Sequence, residues 1–267
     1  MKMEIISRNF FRLLRAGIFG SKEQVEPMSQ WKWRQTWQLA VAHGVEAEAW
    51  EGVKRLQSQF FMHLADDLWA DWERSVHSNI SQKDHPVVSG GPVVSEVPEY
   101  PEYPVAPVAP EAPMLSRSQQ KRLSKIAADA NVRSATFRLL ILATQTANGL
   151  LKTGQWVGAL LAMGRLLQSE GRFVDADSLE DWADTMHVDR MLGMEGLLMV
   201  RLLGFDADVV PFYVPSGNEG KEERMVEDAV ASMRATRPSL RFIKYFPQES
   251  ITTYTASVVQ SIKNIEE

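Results

Sequence analysis

The stretch PEYPEYPVAPVAPEAP, residues 98–113, limits how the rest of the chain can fold. Its six prolines recur at every third position from Pro98 to Pro113. Proline lacks an amide hydrogen and its ring fixes φ, so neither an α-helix nor a central β-strand can form across this stretch. Because polyproline II has three residues per turn, the period predicts a stiff spacer of about 47 Å.

This stretch is the core of a longer linker. Just upstream, Pro86-Val-Val-Ser recurs as Pro92-Val-Val-Ser, and eight of the thirteen prolines lie between His85 and Pro113. We therefore predict three parts of the chain. They are an N-terminal four-helix segment (residues 1–84), a polyproline II-like linker (85–115) and a C-terminal helical domain (116–267).

Composition argues against several classes of protein. The 267 residues include no cysteine, which excludes disulfides, thiolate catalysis and cysteine-based zinc sites, and the expected compartment is a reducing cytoplasm. A formal net charge of −5 without a Lys/Arg stripe argues against nucleic acid as a partner. No apolar run reaches the length of about 18 residues that a membrane span needs. No phosphate-binding or metalloprotease motif occurs, and no cofactor is predicted.

Apolar residues recur with helical spacing on both sides of the linker, and no convincing run alternates polar with apolar residues. The sequence therefore predicts an all-α fold. The predicted helices are residues 4–19, 29–42, 45–56 and 58–81 before the linker, and 116–148, 152–168, 178–187, 190–203, 219–234, 240–246 and 249–265 after it. Serines 29, 58 and 116 or 118 are the predicted N-caps. The buried stripe of the fourth helix is predicted to be Phe61, Leu64, Leu68, Trp72 and Val76, and Val209–Tyr213 is predicted to be extended.

The first predicted helix, residues 4–19, carries arginines opposite an apolar stripe. A basic amphipathic helix of this kind can lie on a membrane surface, which makes a peripheral membrane adaptor one hypothesis. The alternative is a helix docked on the core with its arginines in solvent, and this interpretation is favoured because such helices are common in water-soluble domains.

Two acidic pairs are the candidate metal ligands. Asp175 and Asp177 lie at a predicted helix start, where carboxylates cap amides and offset the helix dipole. Asp206 and Asp208 follow a helix-ending glycine in a loop, and they are the weak candidates for a metal site. A structural role is favoured for both pairs.

Histidines offer little more. His63 and Asp67 have the i, i+4 spacing of metal ligands on a helix, but two ligands are too few, and a surface ion pair of the neighbouring acids with Arg74 is favoured. His43 and His187 lie at predicted helix ends, where the dipole favours a protonated imidazole. No catalytic residue is predicted.

The opening FFRLLRAGIFG, residues 10–20, resembles the start of an uncharacterised bacterial nucleotidyltransferase-like family. WRQTWQLA (33–40) followed by Val45 is similar to the continuation of that family. LEDW (179–182), LGF (203–205), VPF (210–212) and YFP (245–247) are similar to its closing helices and tail.

The resemblance stops at the catalytic centre. The family is expected to carry a Lys-Gly step and a Gly-Asp-x-Asp strand that holds the metal and the nucleotide, and this chain contains neither Lys-Gly nor Gly-Asp. The proline-rich linker stands where that core would begin. The resemblance therefore implies a protein that kept the helical flanks of the family and lost the transferase core.

Three functional hypotheses follow. The favoured one is a degenerate, non-catalytic helical protein that binds a partner protein, which could be a catalytic paralogue. The second is a divergent nucleotidyltransferase that uses acidic metal ligands outside the family motif. The third is the peripheral membrane adaptor anchored by residues 4–19.

Overall fold

Ten α-helices and no β-strand make up the part of the chain that the structure, a computed structural model, describes: residues 3–83, 115–233, 240–247, 249 and 250. The all-α prediction is confirmed. The helices are α1 (Ile5–Phe19), α2 (Gln30–Ala42), α3 (Glu46–Leu56), α4 (Asp66–Lys83), α5 (Arg117–Asp129), α6 (Ala135–Asn148), α7 (Val157–Glu170), α8 (Ala176–Met186), α9 (Asp189–Leu198) and α10 (Glu219–Ser232). Two π-helical turns span Gly149–Thr153 and Met199–Leu203, and 3-10 turns span Gly171–Phe173, Ala207–Val209 and Leu240–Lys244.

Serine side chains begin three of these helices. Ser29 accepts a hydrogen bond from the amide of Lys32, and Ser116 forms a reciprocal capping box with Gln119. Both were predicted as caps. Ser134 accepts from an amide of the first turn of α6 and was not predicted. Each cap satisfies an amide that the first turn of a helix leaves without an intrahelical partner.

Helix α1 crosses α3 at backbone contact. A Cβ atom placed on Gly17 would lie 1.9 Å from the carbonyl oxygen of Glu48, and one on Gly52 would lie 2.0 Å from that of Leu13. Only glycine allows the two backbones to approach this closely. The close approach brings the fully buried side chains of α1, Phe10 among them, into the centre of the core.

The arginines of α1 are covered by the segment that follows the helix. Glu26 accepts hydrogen bonds from Arg8 at 2.6 Å and from Arg12 at 2.7 Å, and Glu23 accepts from Arg15 at 2.7 Å. The hydrogen bonds from Arg8 and Arg12 lower the pKa of Glu26 to about 2 against the opposing effect of desolvation. The apolar stripe of α1 thus faces the protein's own core, and its cationic face is paired with the protein's own carboxylates. A docked helix was expected, but its arginines are not left in solvent.

Helices from both sides of the linker share one core. The ring of Phe11 stacks on Trp156 with centroids 6.4 Å apart, and Arg15 donates a hydrogen bond to the carbonyl of Leu202 at 2.9 Å. At the surface, Arg165 forms an ion pair with Glu48 at 2.8 Å. These contacts show the two helical groups packed against each other. The predicted linker itself, apart from Leu115, lies outside the described residues, and its boundaries stay a prediction.

The fourth helix starts later than predicted. Residues 57–65 form turns and a loop, in which the amide of Gln59 donates to the carbonyl of Leu56 and that of Met62 to Gln59. Ser58 is therefore not an N-cap, and the helix begins at Asp66. Leu64, Leu68, Trp72 and Val76 are buried as predicted, but Phe61 is exposed. The apolar spacing continues across the loop, and this hid the break.

The predicted helix over residues 116–148 is two helices. Asn131 accepts a hydrogen bond from the amide of Arg133, and Ser134 then caps α6. Asparagine and serine side chains compete with helical hydrogen bonds in this way, so the chain turns between α5 and α6.

The helix predicted at 152–168 begins only at Val157. Helix α6 continues instead into the π-helical turn Gly149–Thr153, which Gly154 ends with φ 74°. A Cβ on Gly154 would lie 2.2 Å from the carbonyl oxygen of Ser232, so the chain touches the end of α10 there. This contact between distant segments cannot be seen in local spacing.

The segment Val209–Tyr213 turns and is not extended as predicted. Its first residue ends a 3-10 turn, and the amide of Tyr213 donates to the carbonyl of Val210 at 3.0 Å. Of the helix predicted over 249–265, only Glu249 and Ser250 lie within the described residues, and both are helical.

Candidate functional site

Three large aromatic side chains are exposed on one part of the N-terminal helical group. Phe60 is 91% exposed, Trp31 64% and Phe61 48%. The rings of Phe60 and Phe61 meet edge to face with centroids 5.2 Å apart. We call Trp31, Phe60 and Phe61 the aromatic surface. Apolar rings in solvent carry an unfavourable hydration free energy, and grouped exposure of this kind marks interaction sites.

The loop that carries Phe60 and Phe61 is held by a glutamine. Gln59 donates from Nε2 to the backbone carbonyl of Glu23 at 2.5 Å, and its Oε1 accepts from the amide of Val25 at 3.1 Å. One side chain thus satisfies both a donor and an acceptor of the segment that follows α1. The base of the loop is therefore tied to that segment.

A second glutamine ties the other end of the loop to the start of α2. Gln30 donates from Nε2 to the carbonyl of His63 at 2.9 Å, and its Oε1 accepts from the amide of Ala65 at 2.8 Å. Because Trp31 follows Gln30 directly, this pair of hydrogen bonds places the backbone of Trp31 beside the loop. Hydrogen bonds from glutamine side chains to backbone groups therefore hold both ends of the loop that carries Phe60 and Phe61.

The sequence did not predict this surface. Phe61 was predicted in the buried stripe, and Trp31 was grouped with the other tryptophans of α2. Residues two apart point to different sides of a helix, and Trp33 is fully buried where Trp31 is exposed. The signal in the sequence was the phenylalanine pair beside polar Gln57, Ser58 and Gln59.

The predicted acidic pairs have structural roles or lie in solvent. Asp206 accepts a hydrogen bond from the amide of Asp208 at 3.1 Å and so begins a 3-10 turn, and both residues are exposed. Asp175 is the N-cap residue of α8, and its carboxylate accepts from the hydroxyl of Ser178 at 2.5 Å, which lowers the pKa of Asp175.

No helix face joins His63 to Asp67, because His63 lies in the loop before α4. Asp67 instead pairs with Arg34 at 2.7 Å, and Arg74 pairs with Asp71 at 3.2 Å, so the favoured surface ion pairs are present. Across the described ranges, no three or more His, Asp or Glu side chains come together as possible ligands of one metal ion.

His43 is buried in the core at the end of α2. Its ring lies 6.2 Å from Phe10 and 6.3 Å from Trp156, measured between centroids. Burial lowers the pKa of His43 to about 4. The nearby backbone of Met233 raises this pKa slightly, but neither ring nitrogen of His43 has a hydrogen-bond partner of good geometry. The helix dipole was expected to favour the charged ring, but its contribution of about 1 kcal/mol is smaller than the cost of burying a charge.

Among the acidic residues that the structure describes, Glu195 is the most deeply buried. Neither carboxyl oxygen has a hydrogen-bond partner among the residues the structure describes, and burial raises the pKa of Glu195 well above its usual range. Burial therefore disfavours the charged form of this side chain, which lies on α9 between buried methionines.

Replacing Glu195 by methionine, which has a similar length, is expected to stabilise the protein at pH 7 by about 1–3 kcal/mol, because an unpaired polar group leaves the core. The raised pKa means that wild-type stability falls as pH rises above 4.5, towards the pKa of the folded state. Urea denaturation at pH 5 and pH 8 measures both effects. Glu195→Gln is the control, since it cannot ionise but stays polar. An equal pH dependence in wild type and Glu195→Met would contradict the assignment.

Comparisons of the chain with protein-family models, with curated proteins and with solved structures find no match. The resemblance of residues 10–20 to nucleotidyltransferase-like proteins therefore stays a prediction. Within the structure, residues of that motif have packing roles. Arg15 donates hydrogen bonds to the carboxylate of Glu23 and to the carbonyl of Leu202, and Gly17 permits the close contact with α3. No helix in the described part of the chain is both long and apolar enough to span a membrane.

Proposed function

We propose that this protein is a non-catalytic helical protein that binds a partner protein through the aromatic surface. The observation that carries the proposal is the exposure of Phe60 and Phe61, on a loop that two glutamines hold in place, and of Trp31 at the start of α2 beside it. A surface that is ordered before binding loses little conformational entropy on association. Aromatic residues of this kind also contribute most of the binding energy in protein interfaces.

The charges around the aromatic surface favour a protein as the partner. Residues 27–31 and 57–65, which carry the three rings, include no lysine, arginine, aspartate or glutamate. Nucleic acid and anionic membranes are recognised by clusters of cationic side chains. The arginines of α1, which could have supplied such a cluster, are paired with Glu23 and Glu26. The expected partner therefore presents an apolar patch, and the resemblance adds a catalytic paralogue as the first protein to try.

A photoreactive phenylalanine analogue placed at position 60 is expected to cross-link one discrete partner protein in the native cell. The matched control is position 173, because Phe173 is also a phenylalanine and is 60% exposed, but it lies in the 3-10 turn after α7, beside Arg172. With the partner purified, Phe60→Ser/Phe61→Ser is expected to weaken binding at least about tenfold, since such aromatic contacts are worth 2 kcal/mol or more.

Three results would contradict this proposal. One is an adduct of twice the mass of the chain, which would make a second copy the occupant. Another is sedimentation of the wild type, but not of the double variant, with phospholipid vesicles. The third is equal binding of the purified partner to the wild type and to the double variant, with Phe173→Ser as the reference for a neutral change.

A further inference from the structure

A polar cleft lies on the C-terminal helical group, away from the loop that carries the aromatic surface. It is bounded by the first turns of α5, the end of α6 with its π-helical turn, and the connection between α8 and α9. Its volume is about 60 Å³. Its polar lining includes Gln119, Arg122, Asn148, Lys152, His187 and Glu249.

Lys152 brings an unpaired amine to this cleft. It belongs to the π-helical turn Gly149–Thr153, and π turns inside helical segments occur frequently at functional sites. The side chain is half-buried, and burial lowers the pKa of Lys152. No carboxylate among the described residues lies within ion-pair distance of its Nζ atom. The amine is therefore desolvated without a compensating charge.

Glu249 brings an unpaired carboxylate to the same cleft. It is only 6% exposed, and its Oε2 atom has no hydrogen-bond partner in the described structure. A buried carboxylate oxygen without a partner is unfavourable and calls for an explanation by a ligand or an ion. Lys152 and Glu249 line one cleft, yet no ion pair joins them. The space between them can accept a molecule that contacts both.

The remaining walls are built rigidly. Gln119 and Asn148 exchange two side-chain amide hydrogen bonds, at 3.2 and 3.0 Å, which tie α5 to α6. His187 takes a left-handed backbone conformation with φ 58°, the only residue other than glycine with positive φ in the described ranges. Such a conformation is strained for a residue other than glycine and is concentrated at binding and catalytic sites. Arg122, half-buried and without an ion pair among the described residues, adds a second cation.

We propose that this cleft binds a small zwitterion of the amino-acid class. Its carboxylate is held by the cations of Lys152 and Arg122, and its ammonium group donates to the carboxylate of Glu249. A simple anion would leave the carboxylate of Glu249 unpaired, and a simple cation would do the same to Lys152. At about 10–15 Å³ for one water-sized probe, the cleft holds roughly four to six such probes, so the ligand has about as many non-hydrogen atoms as glycine or alanine.

Glycine and alanine are the probes for the test, with acetate, methylammonium and inorganic phosphate as single-charge controls. We expect each amino acid to bind one site by calorimetry and to raise the Tm of the full chain by roughly 5–10 °C at a hundred times its Kd. Acetate, methylammonium and phosphate at the same concentrations are expected to leave Tm unchanged.

Variants test the two charges separately. Lys152→Met and Glu249→Gln are each expected to weaken glycine binding at least about tenfold, because each removes one charge-assisted hydrogen bond. Lys54→Met is the matched control, since Lys54 pairs with Glu51 at the surface and lies outside the cleft. Circular dichroism of each variant shows whether it folds. If a variant does not fold, the comparison of glycine with acetate and methylammonium on the wild type still tests the proposal.

The proposal is overturned if neither amino acid binds the wild type. It is also overturned if phosphate or acetate raises Tm as much as glycine does, because the cleft would then be an anion site. If folded Glu249→Gln bound glycine as tightly as the wild type does, Glu249 would not contact the ligand, and the proposed binding of a zwitterion would be rejected. None of these results depends on a partner protein. Failure of this proposal and failure of the function proposed for the aromatic surface can therefore be distinguished.

Discussion

Gly52→Ala is expected to destabilise the protein by about 3 kcal/mol or more, the upper end of the range for overpacked cores. The added Cβ would lie 2.0 Å from the carbonyl oxygen of Leu13, which belongs to a helix backbone and cannot rotate away. Helices α1 and α3 would have to separate, and this would loosen the packing around Phe10 and Phe11. Thermal denaturation should show Tm lowered by roughly 6–12 °C.

Gly193→Ala is the matched control for this experiment. Gly193 also lies inside a helix, α9, but nothing lies within 4 Å of a Cβ placed on it. Alanine there is expected to stabilise the protein by about 0.5–1 kcal/mol, because glycine is the poorer helix former. If the two substitutions changed Tm in the same direction and by similar amounts, backbone contact would not be the reason for glycine at position 52.

The contribution of His43 to stability is expected to fall by about 3 kcal/mol between pH 6.5 and pH 4. Glu195 acts in the opposite direction above pH 4.5, and its contribution is common to the wild type and to variants of His43. The imidazole has a pKa of about 4 when folded, against 6.5 as its ordinary value. In this window the unfolded chain takes up a proton that the folded core excludes, so stability falls as pH falls. Each pH unit costs about 1.4 kcal/mol until the folded pKa is reached.

His43→Leu tests this assignment, because leucine keeps a similar volume and cannot be protonated. Its free energy of unfolding, from urea titrations between pH 7 and pH 4, is expected to lack the loss of about 3 kcal/mol. The separate contribution of Glu26, with a pKa of about 2, is lost only below pH 4.5 and stays in both proteins. His63→Gln controls for the loss of an imidazole at an exposed position. A parallel fall in wild type and His43→Leu would place the acid sensitivity elsewhere.

Most helix starts, and the choice of helix over strand, were predictable because they depend on neighbouring residues. The hydroxyl of Ser29 reaches the amide of Lys32, and the side chains of Ser116 and Gln119 reach each other's backbone within one turn. The stripe of α1 was equally visible in the order of its residues. These interactions are local, so the spacing of residues in the sequence is enough to predict them.

Breaks between helices were less predictable. The turn at residues 57–65 is held by contacts with distant parts of the chain: Gln59 binds backbone groups of Glu23 and Val25, and Gln30 binds backbone groups of the loop at His63 and Ala65. No periodicity within the loop reports such a contact. The same reason explains why Phe61 was placed in the core and is found at the surface.

The candidate sites required the tertiary structure almost entirely. Lys152 and Glu249 are separated by many residues and by several helices, and neither belongs to a recognisable motif. The acids that spacing did suggest, Asp206 and Asp208, lie exposed at a 3-10 turn. A pair of acids in sequence indicates a site only when the fold brings further ligands to it.

The sequence by itself determined that the described chain is all-α, where most helices begin, and that α1 has one apolar face and one cationic face. Those features follow from hydrogen bonds and side-chain positions within a few turns. Only the tertiary structure decided which aromatic rings are exposed, that burial lowers the pKa of His43 and raises that of Glu195, and that Lys152 and Glu249 line one cleft. Burial and charge pairing depend on which helices come into contact, and contacts between distant segments have no signature in local spacing.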